Sequence, residues 1–227
     1  MESVISVFEA LTSRRSVRAF LPKPVDRTVI AQILTLARQA PSGSNIQPWK
    51  VWVTAGSKRD QICSRIHLAH EIDEPGHEED YVYYPPEWFE PDLSRRRHLG
   101  KALYGLVGVP KGDHEGMKRQ NGRNYLLFDA PVGLFFALDK RHGQSAWIDL
   151  GCFLQSIMLA ARGFGLDSCP QQSFSKYHRI LREELAIPES YVLVCGMAIG
   201  YVDPEATVNR LRAERVPLAE FAEFHWG

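Results

Sequence analysis

The segment SRRSVRAF, residues 13–20, gathers Arg14, Arg15 and Arg18 around Ser16. A guanidinium meets a phosphate through two parallel hydrogen bonds, a serine hydroxyl adds another donor, and a loop backbone adds amides, so the stretch has the chemistry of a phosphate cradle. Taken alone it reads equally well as a solvated basic loop. A second run, NRLRAERVPL, places Arg210, Arg212 and Arg215 near the other end of the chain. Lys+Arg and Asp+Glu both number 27, for a formal net charge of zero, so no general attraction to nucleic acid or anionic lipid follows. Two local concentrations of positive charge in a neutral chain call for a local anion, and both runs can converge on one.

Two further stretches offer polar groups at loop positions. APSGSNIQPW, residues 40–49, combines small and amide residues with an aromatic wall at Trp49, which suits a polyol or a heterocycle as well as it suits a plain connection. In CPQQSF, Pro170 fixes one dihedral and so helps present the amides that follow, while Gln171, Gln172 and Ser173 add polar side chains. His67, His70 and His77 stand among acidic residues, but HLAHE is not the HExxH order that sets two imidazoles and a glutamate base on one helix, and no metal is expected. SRRRHLGK is one short basic run without interleaved aromatics and reads as a solvated helix face rather than a nucleic-acid site. No GxSxG, Walker lysine loop or GxGxxG occurs.

These residues need a frame. SVISVFEAL reads as a short amphipathic helix leading into the arginines, and DRTVIAQILTLARQA as a longer one capped by Asp26 and stopped before Pro41. WKVWVTA reads as a strand, PVGLFFALD as a buried strand, and SAWIDLGCFLQSIMLAARGFG as a central helix capped by Ser145 and ended by Gly163 and Gly165. KYHRILREELA is a helix before Pro188, and YVLVCGMAIGYV a strand covered on both faces. Residues 66–122, rich in aromatics, prolines and charges, read as an excursion from the core.

At 227 residues the chain is read as one domain. No apolar run approaches the roughly 20 residues of a membrane helix. The amino terminus has no secretory pattern, and Cys63, Cys152, Cys169 and Cys195 lack CxxC spacing, so reduced cysteines and a cytoplasmic address are expected.

In order along the chain, RRSVRAF, APSGSNIQPW, GFGLDSCPQQSF and CGMAIGYVDPEATVNRLRAERVPL resemble the nitroreductase family of flavin enzymes. The excursion is similar to the variant found in bacterial reductases of nitroaromatic compounds. The resemblance implies an α+β homodimer, its central, mostly antiparallel sheet flanked by helices and completed by the carboxy-terminal extension of the partner subunit, with FMN at the interface. It assigns Arg14, Arg15, Ser16 and Arg18 to FMN, Arg14 toward the phosphate and Arg18 toward the pyrimidine end. Arg212 and Arg215 complete the phosphate site. Ser42 and Asn45 match the loop that reaches FMN from the other subunit. Pro170, Gln171, Gln172 and Ser173 match the segment along the flavin, with the Gln172 amide toward the ring nitrogen at which reduction occurs. Many relatives carry glutamate and glycine where this chain has Gln172 and Ser173. Asn124, or Arg123 beside it, matches a contact to the pyrimidine.

The activity implied is reduction of nitroaromatic compounds to nitroso and hydroxylamine products in two-electron, ping-pong steps, with NADH or NADPH as donor and no catalytic side chain beyond those that hold the flavin. Tyr81, Tyr83, Tyr84, Trp88 and Phe89 in the excursion offer stacking surface for a small aromatic acceptor, and Arg95, Arg96 or Arg97 a partner for its anionic group. Quinone or flavin reduction, reductive dehalogenation, dehydrogenation and a non-catalytic anion-binding module stand as alternatives.

Overall fold

The computed structural model describes residues 5–227. Its strands are β1 (Trp49–Ala55), β2 (Val132–Asp139), β3 (Asp167–Gln171) and β4 (Tyr191–Gly200). Its helices are α1 (Val7–Ser13), α2 (Arg27–Ala37), α3 (Gly56–Glu71), α4 (Asp92–Leu106), α5 (His114–Gly122), α6 (Ser145–Gly163) and α7 (His178–Leu185). The strands form one sheet in the order β1-β2-β4-β3, each neighbouring pair antiparallel. This is the mixed helix and antiparallel-sheet architecture expected from the sequence.

The continuous apolar runs of β2 and β4 are explained by cover on both faces. On one face Leu134, Phe136, Leu138, Met197 and Ile199 pack with Ile30 and Ile33 of α2 and Leu150, Phe153 and Ile157 of α6. On the other, Phe135, Leu193 and Ala198 pack with Ile62 and Ile66 of α3, Phe174, and Ile180 and Leu181 of α7. Alternate residues of one strand thus feed two cores, as a side-chain period of two requires. Gly196 admits the second core's closest contact: a Cβ there would lie 2.6 Å from Phe174 Cδ2. Trp49 stacks on Phe153 with centroids 4.6 Å apart, tying β1 to α6.

One register shift has a structural use. Phe136 pairs with Cys195 and Ala137 with Leu193, leaving Val194 as the extra residue of a bulge. The Val194 carbonyl accepts from the Tyr81 hydroxyl at 2.6 Å, which pins the excursion to the central strand.

Local signals explain the helix ends. The Asp26 carboxylate accepts from the Thr28 amide at 2.7 Å, as a cap should. Gly165 takes φ +68° just beyond α6, where the left-handed conformation suits glycine. Two expectations need correction. Ser145 is the first helical residue of α6, Gln144 holds the cap position, and no side chain caps this end. The excursion begins later than residue 66, because Ile62, Cys63, Ile66 and Ala69 bury one face of α3 in the second core. The expected helix SVISVFEAL is seen as α1; its residues 3 and 4 lie outside the described ones.

Candidate functional site

The end of α1 sets the first half of the site. The chain leaves the helix at Arg14 in an extended conformation, and Ser16 forms a parallel bridge with Ser168 of β3. The Val17 amide donates to the Ser168 carbonyl at 3.1 Å, and the Val17 and Phe20 side chains are buried. With Val17 turned inward, alternation along this short extended stretch turns Ser16 and Arg18 the other way.

Asn209, buried in the turn after β4, supplies the second half. Its Oδ1 accepts from the Arg18 amide at 2.8 Å, and its Nδ2 donates to the carbonyls of Ala19 and Asp203, both at 2.8 Å. The Arg212 guanidinium in turn donates to the Asn209 and Leu211 carbonyls. The two arginine runs, some 190 residues apart in sequence (|i−j| of 191 for Arg18 and Asn209), are therefore stapled together.

Between them opens a cavity of about 790 Å³ lined by Arg14, Arg15, Ser16, Arg18, Arg212 and Arg215, with Leu11, Leu99 and Leu211 among its apolar walls. Arg210 does not line it. Among the described residues none of these five guanidiniums forms a salt bridge with a carboxylate, although the chain carries as many acids as bases. Arg215 and Arg18 donate only to backbone carbonyls. The Arg15 Nε is buried and without a hydrogen-bond partner. Burial first, then the nearby Arg212, pushes the Arg15 guanidinium below its ordinary pKa, while Asp167 pulls the other way.

Asp167 and Arg162 lie close enough to Arg15 to influence its charge, though neither lines the cavity. The Arg162 guanidinium meets the Asp167 carboxylate at 3.0 Å and the Ser13 hydroxyl at 3.2 Å. Burial holds the Asp167 carboxyl above its usual range against the pull of Arg162 and Arg15. The arrangement is a cationic cup with one carboxylate beneath it, suited to a phosphate ester.

The remaining expected site residues lie in two other places. At the end of β3, Gln171 is buried and its Nε2 donates to the Asn124 carbonyl at 2.7 Å, so residues 47 apart in sequence meet. Gln171 Oε1 and Ser173 Oγ are buried without partners. Gln172 donates to Glu79 and Ser175, at 2.9 and 2.8 Å, and Pro170 is exposed. Arg123 is engaged by Asp129, which leaves Asn124 as the residue beside Gln171. Ser42 and Asn45 sit on the loop over α6, where the Gly43 amide donates to Asp149 at 3.2 Å and the Gln47 amide to Ser42 Oγ at 3.0 Å. Neither lines the cationic cavity of its own chain.

The excursion is anchored and aromatic. Asp80 meets the buried Arg182 at 2.8 Å, and Arg182 also donates to the Pro188 and Tyr191 carbonyls. From Trp147, rings follow one another through Tyr81, Tyr83, Tyr84 and Trp88 at centroid spacings of 4.8, 6.3, 4.5 and 5.0 Å. Arg96 lies over Trp88 at 4.8 Å. Phe89 and Arg97 are exposed.

Sequence reasoning missed Asn209, Asp167, Arg162 and Leu99. An asparagine beside arginines carries no local mark, and the Asp167–Arg162 pair arises only when β3 folds back on α6. Among the described residues no group of three or more His, Cys, Asp and Glu could hold a metal ion, and no helix is long and apolar enough to cross a membrane.

Comparison with known proteins places the whole chain. The model of the Nitroreductase family matches residues 11–201. A 4-nitrobenzoate reductase of Pseudomonas putida is 39% identical over 218 residues, covering 96% of this chain and 95% of the relative. A chloronitrobenzene nitroreductase of Comamonas testosteroni is 38% identical, covering 95% of both. The crystal structure of the FMN and NADPH-dependent nitroreductase NfnB from sphigopyxis sp. strain HMH superposes with a TM-score of 0.93 at 39% identity, covering 98% of this chain and all of that one. The chain therefore belongs to the nitroreductase family.

Proposed function

We propose that this chain is an FMN-dependent oxidoreductase that uses NADH or NADPH to reduce nitroaromatic compounds. The observation that carries the reading is the single cavity in which arginines from both ends of the chain stand free of carboxylate partners. Relatives of nearly full length that act on nitrobenzoate and chloronitrobenzene, and a superposable structure dependent on FMN and NADPH, support the same assignment.

The residues fit a flavin mononucleotide. Arg14, Arg15, Arg212 and Arg215 would present fixed positive charge to its phosphate, which would also offer a partner to the orphaned Arg15 Nε. Arg18, Asn124 and the Pro170–Ser173 segment would hold its ring system, with Gln171 Oε1, which has no partner in the chain, as an acceptor and the Gln172 amide as a donor. When bound, FMN supplies the two-electron chemistry; the chain orients it and stabilises negative charge on its ring with preorganised donors. Each two-electron step takes two protons: the first breaks an N–O bond of the nitro group, giving nitroso and one water, and the second turns nitroso into hydroxylamine, with donor and acceptor alternating in one pocket. Residues from about 72 to 122, carrying the aromatic series, cover that pocket as part of a single domain.

The functional unit is a homodimer with FMN at its interface. Phe8, Ile148, Phe221, Phe224 and Trp226 are all more than half exposed on one copy, which favours burial against a second. In that dimer Ser42 and Asn45 reach the partner's flavin, and the tail beyond Arg215 completes the partner's sheet. Four free cysteines and a nicotinamide donor suit the cytoplasm.

Purified protein should be yellow, bleach anaerobically with NADPH and regain colour on addition of 4-nitrobenzoate. A colourless preparation that neither binds added FMN nor oxidises NAD(P)H with a nitroarene would overturn the reading.

A further inference from the structure

Arg182 of α7 is buried, and each edge of its guanidinium is engaged. Nη2 donates to the Asp80 carboxylate of the excursion at 2.8 Å and to the Tyr191 carbonyl at 2.6 Å, and Nη1 donates to the Pro188 carbonyl at 2.8 Å. Nε donates to Nδ1 of His178, one helical turn earlier, at 3.2 Å. We propose that His178 is a positioning residue for the excursion: as a neutral imidazole it holds Arg182 in place for Asp80, and on protonation it releases the segment around Asp80. The function proposed above enters only in making the excursion the cover of the acceptor pocket, which its release would open.

The contact itself fixes the protonation state. A guanidinium nitrogen carries hydrogen at every accessible pH and offers no lone pair, so Nδ1 must accept and the imidazole proton must sit on Nε2. A proton added to Nδ1 leaves Arg182 Nε only the exposed Glu189 carboxylate, at 3.7 Å, and sets a second cation beside the guanidinium. The charged groups around His178 are Arg179 and Arg182 on its own helix, Asp80 from the excursion and Glu189 from the turn before β4. Lys140 stands 3.7 Å from Asp80, and Glu78 stands 4.0 Å from Arg179. Burial pushes the imidazole below its ordinary pKa; Arg182 and Arg179 act in the same direction, and Asp80 and Glu189 oppose them. A base that the closed form keeps neutral favours closure fully above its ordinary value of about 6.5, and closure weakens as pH falls below that value. Each pH unit in that window multiplies the open fraction by up to about tenfold, until the lowered value of the closed form is passed.

The test follows amide hydrogen exchange of residues 73–91 in the flavin-loaded parent, His178→Asn and His178→Leu, at about pH 7.5 and about pH 5.5. Asparagine sets Oδ1 where Nδ1 stood and does not titrate, whereas leucine offers no acceptor. Comparing the parent with His178→Asn at one pH cancels the intrinsic pH dependence of exchange. The two should exchange alike at the higher pH, and the parent about threefold to tenfold faster at the lower. His178→Leu should exchange faster than His178→Asn at both. A parent-to-asparagine ratio that does not change with pH, or a leucine variant as protected as the asparagine variant at the higher pH, would overturn the proposal. Should the leucine variant fail to fold, the parent-to-asparagine ratio decides alone. Exchange reads the contact and the absorption spectrum reads the flavin, so a parent that takes up no flavin counts against the function proposed above and not against His178.

Discussion

Asn209 accepts from the backbone amide of Arg18 across almost the whole length of the sequence, and the same side chain returns two hydrogen bonds to the carbonyls of Ala19 and Asp203. The amide is buried and uses its acceptor and both donors, so no water substitutes for it without rearrangement. Through it the basic loop after α1 and the basic turn after β4 become one rigid surface.

Asn209→Ala removes all three bonds and leaves buried backbone groups unmet. At about 1 kcal/mol for each bond, with an added penalty for the orphaned groups, we expect a loss of about 3 kcal/mol. Denaturant unfolding checks this. Asn209→Asp keeps the acceptor but loses both donors, and should fall between the parent and the alanine variant.

Arg14→Ala and Arg215→Ala should each weaken FMN binding by about tenfold to hundredfold, the worth of a charge-assisted hydrogen bond. Riboflavin, which lacks the phosphate, should bind parent and variants alike. Fluorescence titration with both flavins separates a lost phosphate contact from a damaged fold, since damage would weaken both.

Asp80→Ala should destabilise the chain by about 2 kcal/mol, because a hydrogen bond between charged groups is lost and a buried guanidinium is left with two carbonyls, His178 and the exposed Glu189 at 3.7 Å. The Asp80 carboxylate also ties the excursion to α7. Limited proteolysis should therefore cut near residues 73–91 sooner in the variant, and an unchanged cleavage pattern would show that the contacts of Tyr81 and Glu79 suffice to hold this segment.

Burial pushes the Cys63 and Cys169 thiols up to about 11 and Cys195 up to about 12. The thiolate is the reacting species, so raising pH from 7 to about 9 should not make these three label in the native state. Cys152 is partly exposed and should react first with iodoacetamide. Mass spectrometry before and after denaturation reads the order, with all four labelled only once the fold is lost.

Much of the frame was legible because its signals are local. WKVWVTA is β1 residue for residue, and PVGLFFALD and YVLVCGMAIGYV announce the two central strands by apolar runs too short for a helix. Asp26 marks a helix start by a side chain that accepts from the Thr28 amide, and Gly165 marks a helix end by a left-handed conformation that few other residues favour. Helix α3 escaped notice because its buried stripe of Ile62, Cys63, Ile66 and Ala69 is diluted by charged neighbours. No residue of α4 is buried, so no apolar period betrays it. The same division holds at the site. Clustered arginines are visible in a string of letters, whereas the carboxylate beneath them and the amide that joins them act only through contacts made late in the chain.

The parallel bridge between Ser16 and Ser168, with Asn209 beyond it, fixes when in the life of the protein a cofactor can be captured. A nascent chain that has emerged as far as β4 already holds the material of both cores, yet it lacks half of the cup that grips a phosphate. Flavin loading should therefore wait for the segment that carries Asn209, and chains cut short before it should remain colourless however well their sheet has formed.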